Sequence, residues 1–241
     1  MRISMIIPAF NEERLLGATL VRVKEAMAAF TDRSWEYELI VCDNNSTDRT
    51  AELARAAGAV VVFEPVNQIA RARNRGAAAA SGDWLVFVDA DSQPSKELFA
   101  EVAEQIVAGR CLAGGSTVRL DGDYRFGSRV VRLWNWLSRT FHLLAGSFIF
   151  CEAQAFRDVG GFGQELFAAE EIELSKKLKR LARQKRKHIA ILHRHPLLTS
   201  GRKMELYTPG EHLWFLAKAT LWPKRVLTRR DQCTTWYDGR R

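Results

Sequence analysis

Two carboxylates, Asp89 and Asp91, are separated by one residue at the end of the run 83–89, which is rich in Val, Leu and Phe. The run predicts a buried strand, and both acids would then lie where that strand leaves the sheet. Hard divalent cations take oxygen ligands and keep open positions for substrate phosphates. Acidic pairs in loops are usually only solvated, so the position after an apolar strand is what makes this pair a candidate metal site.

Two further polar segments, 8–12 and 43–46, also follow apolar runs. Ligands bind beyond the carboxyl ends of the strands in open parallel sheets. The three polar segments would therefore meet in one crevice. The competing interpretation of Asp43 and Asp91 is that each caps the helix that follows its strand.

The segments around these loops alternate between the periodicity of strands and that of helices. Predicted strands lie at 3–8, 37–43, 59–63 and 83–89, and predicted helices at 12–30, 46–57 and 70–81. Ser46 or Thr47 would cap the second helix. The alternation predicts an α/β fold with a parallel sheet and helices on both faces.

The remainder of the chain is less regular. It predicts helices at 96–108, 126–144 and 165–184, and strands at 112–119, 147–151 and 189–192. Gly160 and Gly161 predict a turn with an architectural role, whereas the tail after Pro209 fits no single element.

The composition predicts one large domain, with or without a short extension. The chain has 241 residues, of which 47% are hydrophobic, and this is enough to bury a core. Its four cysteines lack the spacing of a metal site and predict reduced thiols. Because the apolar stretches are too short for a signal peptide or a bilayer span, we expect a cytoplasmic protein, or a peripheral one at the inner face of a membrane.

The net charge of +8 favours anionic partners such as nucleotide phosphates, a phospholipid surface or nucleic acid. The run Lys176–Lys187 has no interleaved aromatic residues, so we expect no nucleic acid partner. Such a run is more often a solvated helix face. The tail at 213–225 combines Trp and Leu with Lys and Arg, which suits either a membrane interface or a helix packed on the core, and further arginines end the chain at 240–241.

Six motifs together resemble those of the family-2 glycosyltransferases of the GT-A fold. They are Ile6-Ile7-Pro8-Ala9-Phe10-Asn11-Glu12-Glu13, Val41-Cys42-Asp43-Asn44-Asn45-Ser46-Thr47-Asp48, Ala72-Arg73-Asn74-Arg75-Gly76, Asp89-Ala90-Asp91, Val159-Gly160-Gly161-Phe162 and Glu170-Glu171-Ile172-Glu173-Leu174. Their order and spacing also fit. The resemblance implies a GT-A domain at 1–205, with a nucleotide-binding half at 1–92 and an acceptor-side half at 93–205. A basic and aromatic extension would follow at 206–241.

The resemblance also implies a site for a nucleotide-sugar donor, most often a uridine nucleotide in this family. The residues that would contact the nucleotide are Pro8, Ala9, Phe10, Glu12, Asp43, Arg73, Asn74, Asp89 and Ala90. Asp91, with Asp89, would bind Mn²⁺ or Mg²⁺ through the donor diphosphate. The donor sugar and the acceptor are not readable from the residues. A lipid-linked acceptor is one of several that the sequence allows, and the region 116–139 would contact it.

A general base is implied as well. The family carries Glu-Asp where this chain has Glu170-Glu171, and its second acid deprotonates the acceptor hydroxyl, which points to Glu171. From helix geometry alone, at about 100° per residue, both acids flank the stripe of Leu174 and Leu178 equally, so either could face a cleft. The implied reaction is a direct displacement at the anomeric carbon with inversion.

Three later residues each allow two interpretations. His193 or His195 follows the predicted strand at 189–192, in the part of the chain where some GT-A enzymes complete the metal site with a histidine. Each could instead be an ordinary histidine at the surface or at the edge of the core. Arg202 would clamp the diphosphate or lie in a solvated turn.

Two rival functions use a similar sheet. A nucleotidyltransferase would attack at phosphorus, but such enzymes place a Gly-rich, basic loop after the first strand, where this chain has Asn11-Glu12-Glu13. A non-catalytic relative would bind a nucleotide sugar without turnover. Its only support is the substitution of Glu171 for the family's Asp.

Overall fold

The computed structural model describes residues 1–233 and 237. The strands in this part of the chain are β1 (Arg2–Ala9), β2 (Glu36–Asp43), β3 (Val60–Phe63), β4 (Trp84–Val88), β5 (Ser92–Gln93), β6 (Cys111–Leu120), β7 (Phe148–Glu152) and β8 (His188–Thr199). The helices are α1 (Leu16–Thr31), α2 (Thr50–Ala56), α3 (Ile69–Ala79), α4 (Lys96–Val107), α5 (Arg125–Phe141), α6 (Ala153–Asp158), α7 (Glu170–Gln184), α8 (Arg202–Leu206), α9 (Pro209–Leu221) and α10 (Pro223–Leu227). A short 3-10 helix at Arg230–Gln232 follows.

All the strands belong to one sheet in the order β3-β2-β1-β4-β7-β6-β8-β5. The first four pair in parallel, and so do β6 and β8, whereas β7 runs antiparallel to both β4 and β6. The predicted α/β fold with a mostly parallel sheet is therefore confirmed. The alternation of strand and helix over the first 90 residues produces its parallel half.

Helices cover both faces of the sheet and bury two hydrophobic clusters. On one face, α1 and α4 pack on the strands through side chains such as Leu20 and Phe99. On the other face, α3, α6 and α7 contribute side chains such as Phe156 and Leu178. Because the central strands are covered on both sides, they are apolar throughout rather than alternating.

Parallel pairing aligns the strand ends that carry the predicted polar segments. Ala9 at the end of β1 pairs with Asp43 at the end of β2. On the other side of β1, β4 ends at Val88, one residue before Asp89. The three polar segments thus leave the sheet at the same edge, where ligands bind in such sheets.

The first two helices begin later than predicted, because the residues before them bind the neighbouring loop. The N–H of Glu12 donates to Oγ1 of Thr50 at 2.8 Å, and α1 begins only at Leu16. Ser46 accepts a hydrogen bond from the N–H of Asn11 and does not cap α2. The prediction that Ser46 or Thr47 caps α2 was therefore wrong, since α2 begins at Thr50 with no side-chain cap.

The second half of the chain also departs from the sequence prediction. The helix predicted at 165–184 begins only at Glu170, because Ala169 adopts a left-handed conformation with φ +64°. The last strand was predicted to end at residue 192, yet β8 continues to Thr199. β5 and α6 were not predicted, since elements of two and six residues are too short to show a period.

The four cysteines are buried and unpaired. Burial raises the pKa of the Cys42 and Cys111 thiols to about 12. Thiols in such surroundings are inert and serve as small apolar side chains. This agrees with the reduced thiols that the spacing predicted.

Gly114 lies in β6 between β7 and β8. A Cβ at this position would clash with Cζ of Phe150 and would lie 2.6 Å from the carbonyl oxygen of Ala190. Because that oxygen belongs to a paired strand and has no room to move, we expect Gly114→Ala to lower the free energy of unfolding by about 1–3 kcal/mol. Urea denaturation followed by circular dichroism measures the loss.

Gly17, which is exposed in the first turn of α1, provides the matched control. No atom lies within 4 Å of the Cβ that it lacks. Gly17→Ala adds the same methyl group without a clash and restricts the unfolded chain, so stability should stay unchanged or rise by up to about 1 kcal/mol. A Gly114→Ala variant as stable as the wild type would contradict this packing.

Candidate active site

Hydrogen bonds fasten the loops after β1 and β2 to each other. The side-chain oxygen of Asn11 accepts from the N–H of Thr47 at 2.8 Å, and the N–H of Asn11 donates to Oγ of Ser46. Oδ1 of Asp43 accepts from the N–H of Ser46 at 3.0 Å. Asn11 and Asn45 have φ of +51° and +66°, a conformation that asparagine tolerates better than most residues. The two loops therefore hold Asp43 in a fixed position at the edge of the sheet.

The residues predicted to contact the nucleotide at the ends of β1 and β2 lie close together in this edge. Pro8 and Ala9 are buried, Phe10 is half-buried, and Glu12 and Asp43 are only 6% and 8% exposed. An apolar surface bordered by two acidic side chains can pack against a nucleoside and accept hydrogen bonds from it.

Asn44 and Gln68 also order the chain around Asp43, although they were not predicted as site residues. The amide group of Asn44 binds the backbone of 64–66 and the N–H of Gln68. The amide of Gln68 donates to two carbonyl oxygens in 164–166 and so connects the two halves of the domain. Asn44 lies in the polar segment after β2, which is a usable signal, but no local pattern marks Gln68.

The guanidinium of Arg73 on α3 is enclosed between two carboxylates. It donates to Oε1 of Glu170 at 2.6 Å, to Oδ1 of Asp89 at 2.8 Å and to the carbonyl oxygen of Gly146 at 2.7 Å. Its Cζ lies 5.2 Å from the centre of the Phe162 ring. Burial opposes the charge, but Asp89 and Glu170 outweigh it and raise the pKa of Arg73 above its ordinary value. Arg73 thus stays charged and joins α3, the end of β4 and the start of α7.

Arg73 and Asn74, both predicted to contact the nucleotide, make their contacts in this structure with protein groups. Arg73 is only 1% exposed, so its guanidinium positions the carboxylates of the site instead of facing the crevice. The side chain of Asn74 accepts from the N–H of Phe162 and donates to its carbonyl oxygen, at 3.0 and 2.8 Å. Asn74 therefore shapes the turn at Gly160 and Gly161, whose positive φ of +76° and +65° confirms their architectural role.

Glu170 and Glu171 begin α7 and have different surroundings. Glu170 is 3% exposed, and Arg73 binds its carboxylate. Glu171 is half-buried, and its carboxyl forms no ion pair with any described residue. Burial, followed by the charge of Glu170, raises the pKa of Glu171 to about 8. A carboxyl group with a pKa near the working pH is suited to exchanging a proton with a substrate.

The first turn of α7 is fixed in place by its neighbours. Ser175 donates from Oγ to the carbonyl oxygen of Glu171 at 2.7 Å and accepts from the N–H of Leu144 at 3.0 Å. The left-handed Ala169 before it costs roughly 1 kcal/mol for a non-glycine residue. Strained residues of this kind often lie beside functional groups, and here the strain sets the direction in which Glu170 and Glu171 leave the chain.

Arg202 connects the segment after β8 with the loop after β1. Its two terminal nitrogens donate to both oxygens of Glu12 at 2.9 and 3.2 Å. Burial opposes the charge of Arg202, but the hydrogen bonds and charge of Glu12 and the charge of Asp91 raise its pKa. The N–H of Ser200 donates to the carbonyl oxygen of Asp91 at 3.1 Å. The predicted diphosphate residue thus lies beside Glu12 and Asp91.

The predicted metal ligand His193 lies on a bulge. Residues 193–196 bulge out of β8, because β8 advances five residues there while its partner β6 advances two. His193 is exposed, and its Nδ1 lies 3.4 Å from the carbonyl oxygen of Ile191. Nδ1 of His195 lies 2.7 Å from Oε1 of Glu101 on α4. These contacts fasten the bulge to its own strand and to α4, and they give no support to either histidine as a metal ligand.

Asp89 and Asp91 are the acids that could hold a metal at this edge. In the described part of the chain, no three side chains of His, Cys, Asp or Glu converge to hold a metal ion by themselves. One oxygen of Asp89 is bound by Arg73, Asp91 is half-buried, and the Ala90 between them is buried. Mg²⁺ is usually held by one or two protein carboxylates together with substrate phosphates, and the two acids fit that pattern.

The basic run Lys176–Lys187 covers the second half of α7 and the turn after it. Several of its lysines form ion pairs with acids nearby: Lys177 with Glu173, and Lys185 with Asp158. The run is therefore a solvated helix face with local partners, which was the more ordinary of its two interpretations.

The tail that begins at α9 presents aromatic side chains to solvent. Trp214 and Trp222 are 64% and 55% exposed, whereas Val226 is buried. The side chains at 213, 216 and 224, and the arginines at 240–241, lie outside the described residues. Among the helices of 1–233, none is long and apolar enough to cross a bilayer. Membrane contact through the tail remains a prediction.

The family model for glycosyl transferase family 2 matches residues 4–158 of this chain. That range includes the loops after β1, β2 and β4, together with Arg73. The chain belongs to glycosyl transferase family 2. The resemblance seen in its motifs is thereby confirmed, and the chain carries a glycosyltransferase domain of this family.

Two curated relatives are named as transferases for dolichol phosphate and undecaprenyl phosphate. A dolichol-phosphate mannosyltransferase from Pyrococcus furiosus is 33% identical over 124 residues, which cover 48% of this chain and 33% of the relative. An undecaprenyl-phosphate 4-deoxy-4-formamido-L-arabinose transferase from Edwardsiella ictaluri is 32% identical over 148 residues, which cover 56% of this chain and 42% of the relative. The chain thus spans less than half the length of these relatives.

Solved structures of similar fold cover most of this family-2 chain. The mannosyltransferase PcManGT from Pyrobaculum calidifontis, in complex with GDP-Man and Mn²⁺, has a TM-score of 0.69 at 19% identity over 90% of this chain and 60% of its own. TarS from S. aureus has a TM-score of 0.65 at 21% identity over 91% of this chain and 66% of its own. These similarities establish the GT-A fold.

Removing the charge of Arg73 should destabilise the domain. Arg73→Met leaves Glu170 buried without a counter-charge, so we expect the free energy of unfolding to fall by about 3–5 kcal/mol. Arg75→Met, on the same helix but exposed, should change it by less than about 0.5 kcal/mol. Urea denaturation of both variants measures the difference. Equal stabilities would mean that the ion pairs of Arg73 do not hold the site together.

The raised pKa of Glu171 predicts a pH-dependent stability. Between about pH 4.5 and 8 the unfolded chain has lost this proton while the folded chain still holds it, so ionisation destabilises the fold as the pH rises. Glu171→Gln cannot ionise, and its stability relative to the wild type should therefore increase by roughly 1–3 kcal/mol between pH 5 and about 8. Urea denaturation at several pH values measures this.

Asp158→Asn is the control for that series. Hydrogen bonds from Lys185 and Gln154 lower the pKa of Asp158, so its carboxylate stays ionised over the whole range in both states. Its stability relative to the wild type should not change with pH. The same flat response from Glu171→Gln would show that Glu171 has an ordinary pKa.

Proposed function

We propose that this family-2 domain transfers a sugar, with inversion of configuration, from a nucleoside diphosphate donor to an acceptor hydroxyl. The observation that supports it best is the pair of contacts made by Arg73. One guanidinium binds Glu170, the neighbour of the candidate general base, and Asp89, the partner of Asp91 in the acidic pair. The acceptor side and the donor side of the reaction are thereby held at a fixed separation.

Glu171 acts as the general base of this transfer. Its carboxylate takes the proton of the acceptor hydroxyl while that oxygen bonds to the anomeric carbon. The bond from the anomeric carbon to the diphosphate breaks on the opposite side, which inverts the configuration. The support for Glu171 is its pKa of about 8, because a group of that pKa holds a proton more firmly than an ordinary glutamate does.

The loops after β1 and β2 bind the nucleoside. Pro8, Ala9 and Phe10 provide apolar surface, Asp43 accepts a hydrogen bond from the nucleobase, and Glu12 lies near the ribose. Uracil is the proposed base, because it is the usual choice of the resembling family. PcManGT was solved with GDP-Man, which makes guanine the alternative to test.

Asp91, with Asp89 beside it, would hold Mn²⁺ or Mg²⁺ when the donor is bound. A bound cation of this kind neutralises the negative charge of the leaving diphosphate. Arg202 supplies a second positive charge, since its guanidinium lies near both Glu12 and Asp91. PcManGT and a glucosyl-3-phosphoglycerate synthase from Mycobacterium tuberculosis, both solved with Mn²⁺, support the choice of metal.

A lipid-linked acceptor is the proposed acceptor class. Its support is the pair of relatives named for dolichol phosphate and undecaprenyl phosphate. Such an acceptor lies in a membrane, which would make this a peripheral protein at the inner membrane face.

Thermal denaturation with UDP, GDP and other nucleoside diphosphates, each with and without Mn²⁺, tests the donor site. A ligand at about a hundred times its Kd stabilises the native state by about 2.7 kcal/mol, so the matching nucleotide should raise the Tm by roughly 5–10 °C. We expect the rise to require Mn²⁺. If no nucleotide shifts the Tm with or without the metal, the proposed donor site is wrong.

Single variants separate metal-dependent binding of the donor from proton transfer by the general base. Asp91→Asn should lose the Mn²⁺-dependent part of the Tm shift. Glu171→Gln should keep the shift but lose the slow release of nucleoside diphosphate from the matching nucleotide sugar. Glu36→Gln, which removes an exposed acid at the opposite end of β2 from Asp43, should change neither. If Glu170→Gln stops release while Glu171→Gln does not, then Glu170 is the general base.

A further inference from the structure

The exposed face of α5 combines arginines with large apolar side chains. Leu133 and Trp136 are 58% and 59% exposed. Four arginines are exposed on the same helix: Arg125, Arg129, Arg132 and Arg139. Their spacing of three, four and seven residues places them along one side of the helix, interleaved with Leu133 and Trp136.

The opposite face of α5 is fixed to the domain. The amide of Asn135 donates to the carbonyl oxygen of Val118 and accepts from its N–H, at 2.9 and 3.0 Å. Val131 and Trp134 pack against the buried cluster on that side of the sheet. The helix is therefore held rigidly by one face, and its exposed apolar side chains are not a consequence of loose packing.

The arginines of α5 have no counter-charge of their own. The helix contains no acidic residue. Nor does any of its four exposed guanidinium groups pair with a carboxylate of a described residue. On α7, Lys177 pairs with Glu173, whereas Arg180 and Arg183 are exposed arginines that serve below as a comparison. An unpaired basic face fits an anionic partner, and the interleaved Trp and Leu fit one that also has an apolar layer.

Both ends of α5 lead to the candidate active site. Beyond its carboxyl end the chain reaches Gly146, where a Cβ would lie 3.6 Å from Cδ of Glu171. Before its amino end, Tyr124 donates to Oε1 of Glu205 at 2.6 Å, next to the segment that carries Arg202. The chain on either side of α5 thus contacts the segment that carries Arg202 and the surroundings of Glu171.

We propose that the exposed face of α5 docks the domain on the surface of an anionic lipid bilayer. The arginines bind the lipid phosphates, while Leu133 and Trp136 enter the boundary between headgroups and acyl chains. A second copy of this chain fits less well, because a twofold interface would bring the same four arginines together. This proposal is independent of the tail at 213–225.

The docked orientation would place Glu171 beside the membrane surface. A headgroup attached to a lipid would then reach the general base without leaving the bilayer. This consequence rests on the proposed function, whereas the docking itself does not.

Flotation with vesicles of phosphatidylcholine, with and without phosphatidylglycerol, tests the docking. We expect the full chain to bind the anionic vesicles and to lose that binding in high salt. Arg129→Gln with Arg132→Gln should weaken binding roughly 10–30-fold, as expected for two basic residues at a charged surface. Leu133→Ser with Trp136→Ser should weaken it at least as much. All four side chains are exposed, so the Tm should not change.

Two further pairs of substitutions test whether α7 or the tail, instead of α5, binds the vesicles. Arg180→Gln with Arg183→Gln removes two exposed charges of α7 and should leave vesicle binding unchanged. Trp214→Ser with Trp222→Ser alters the tail and should do the same. Loss of binding in either of these pairs, with full binding in the α5 variants, would overturn the proposal.

Other outcomes also contradict it. Absence of binding to anionic vesicles by the wild type excludes the docking, and a wild-type dimer that the α5 variants disrupt would make this face an interface between copies. Preferential binding of RNA over vesicles through the same arginines would exclude it too. None of these measurements uses a donor or an acceptor. The nucleotide-dependent Tm shift of the α5 variants, expected to equal that of the wild type, reports separately on the donor site.

Discussion

The buried guanidinium of Arg73 is the interaction on which the arrangement of the site depends. Asp89, Glu170 and the carbonyl oxygen of Gly146 surround it, and they come from three separate segments of the chain. A charge that is only 1% exposed is tolerated only when carboxylates and hydrogen bonds replace its lost hydration. The end of β4, the segment before β7 and the start of α7 must therefore stay together for the charge to remain inside.

The same constraint gives two adjacent glutamates different properties. Glu170 is the counter-charge of Arg73 and is held by it. Glu171, one residue later, is left without an ion pair in a largely enclosed position beside that negative charge, and its pKa rises to about 8. Burial and a like charge both disfavour ionisation, so one dipeptide contains a carboxylate paired with Arg73 and a carboxyl group that holds its proton to higher pH. Asp89 and Asp91 divide their roles similarly, since Arg73 binds the first of them.

The basic side chains of the described residues fall into two groups: those that pair with carboxylates and those that do not. Arg73 and Arg202 are paired with carboxylates inside or beside the crevice, and several lysines of α7 pair with neighbouring acids. The arginines on the exposed face of α5 have no such partners among the described residues. A net charge of +8 thus has little meaning as a total, because only the unpaired part is available to a partner.

The periodicity and motifs of the sequence determined the parallel sheet, the polar segments at its edge and the family. Periodicity and motifs are local properties of the sequence. An apolar run of a given period forms a strand, and the end of that strand fixes where the following residues lie. Only the tertiary structure decided the different surroundings of Glu170 and Glu171, the burial of Arg73 and the bulge that carries His193. Arg73 meets Glu170 across 97 residues, and Arg202 meets Glu12 across 190. No local pattern contains such contacts, because burial and ion pairing depend on which distant segments the fold brings together.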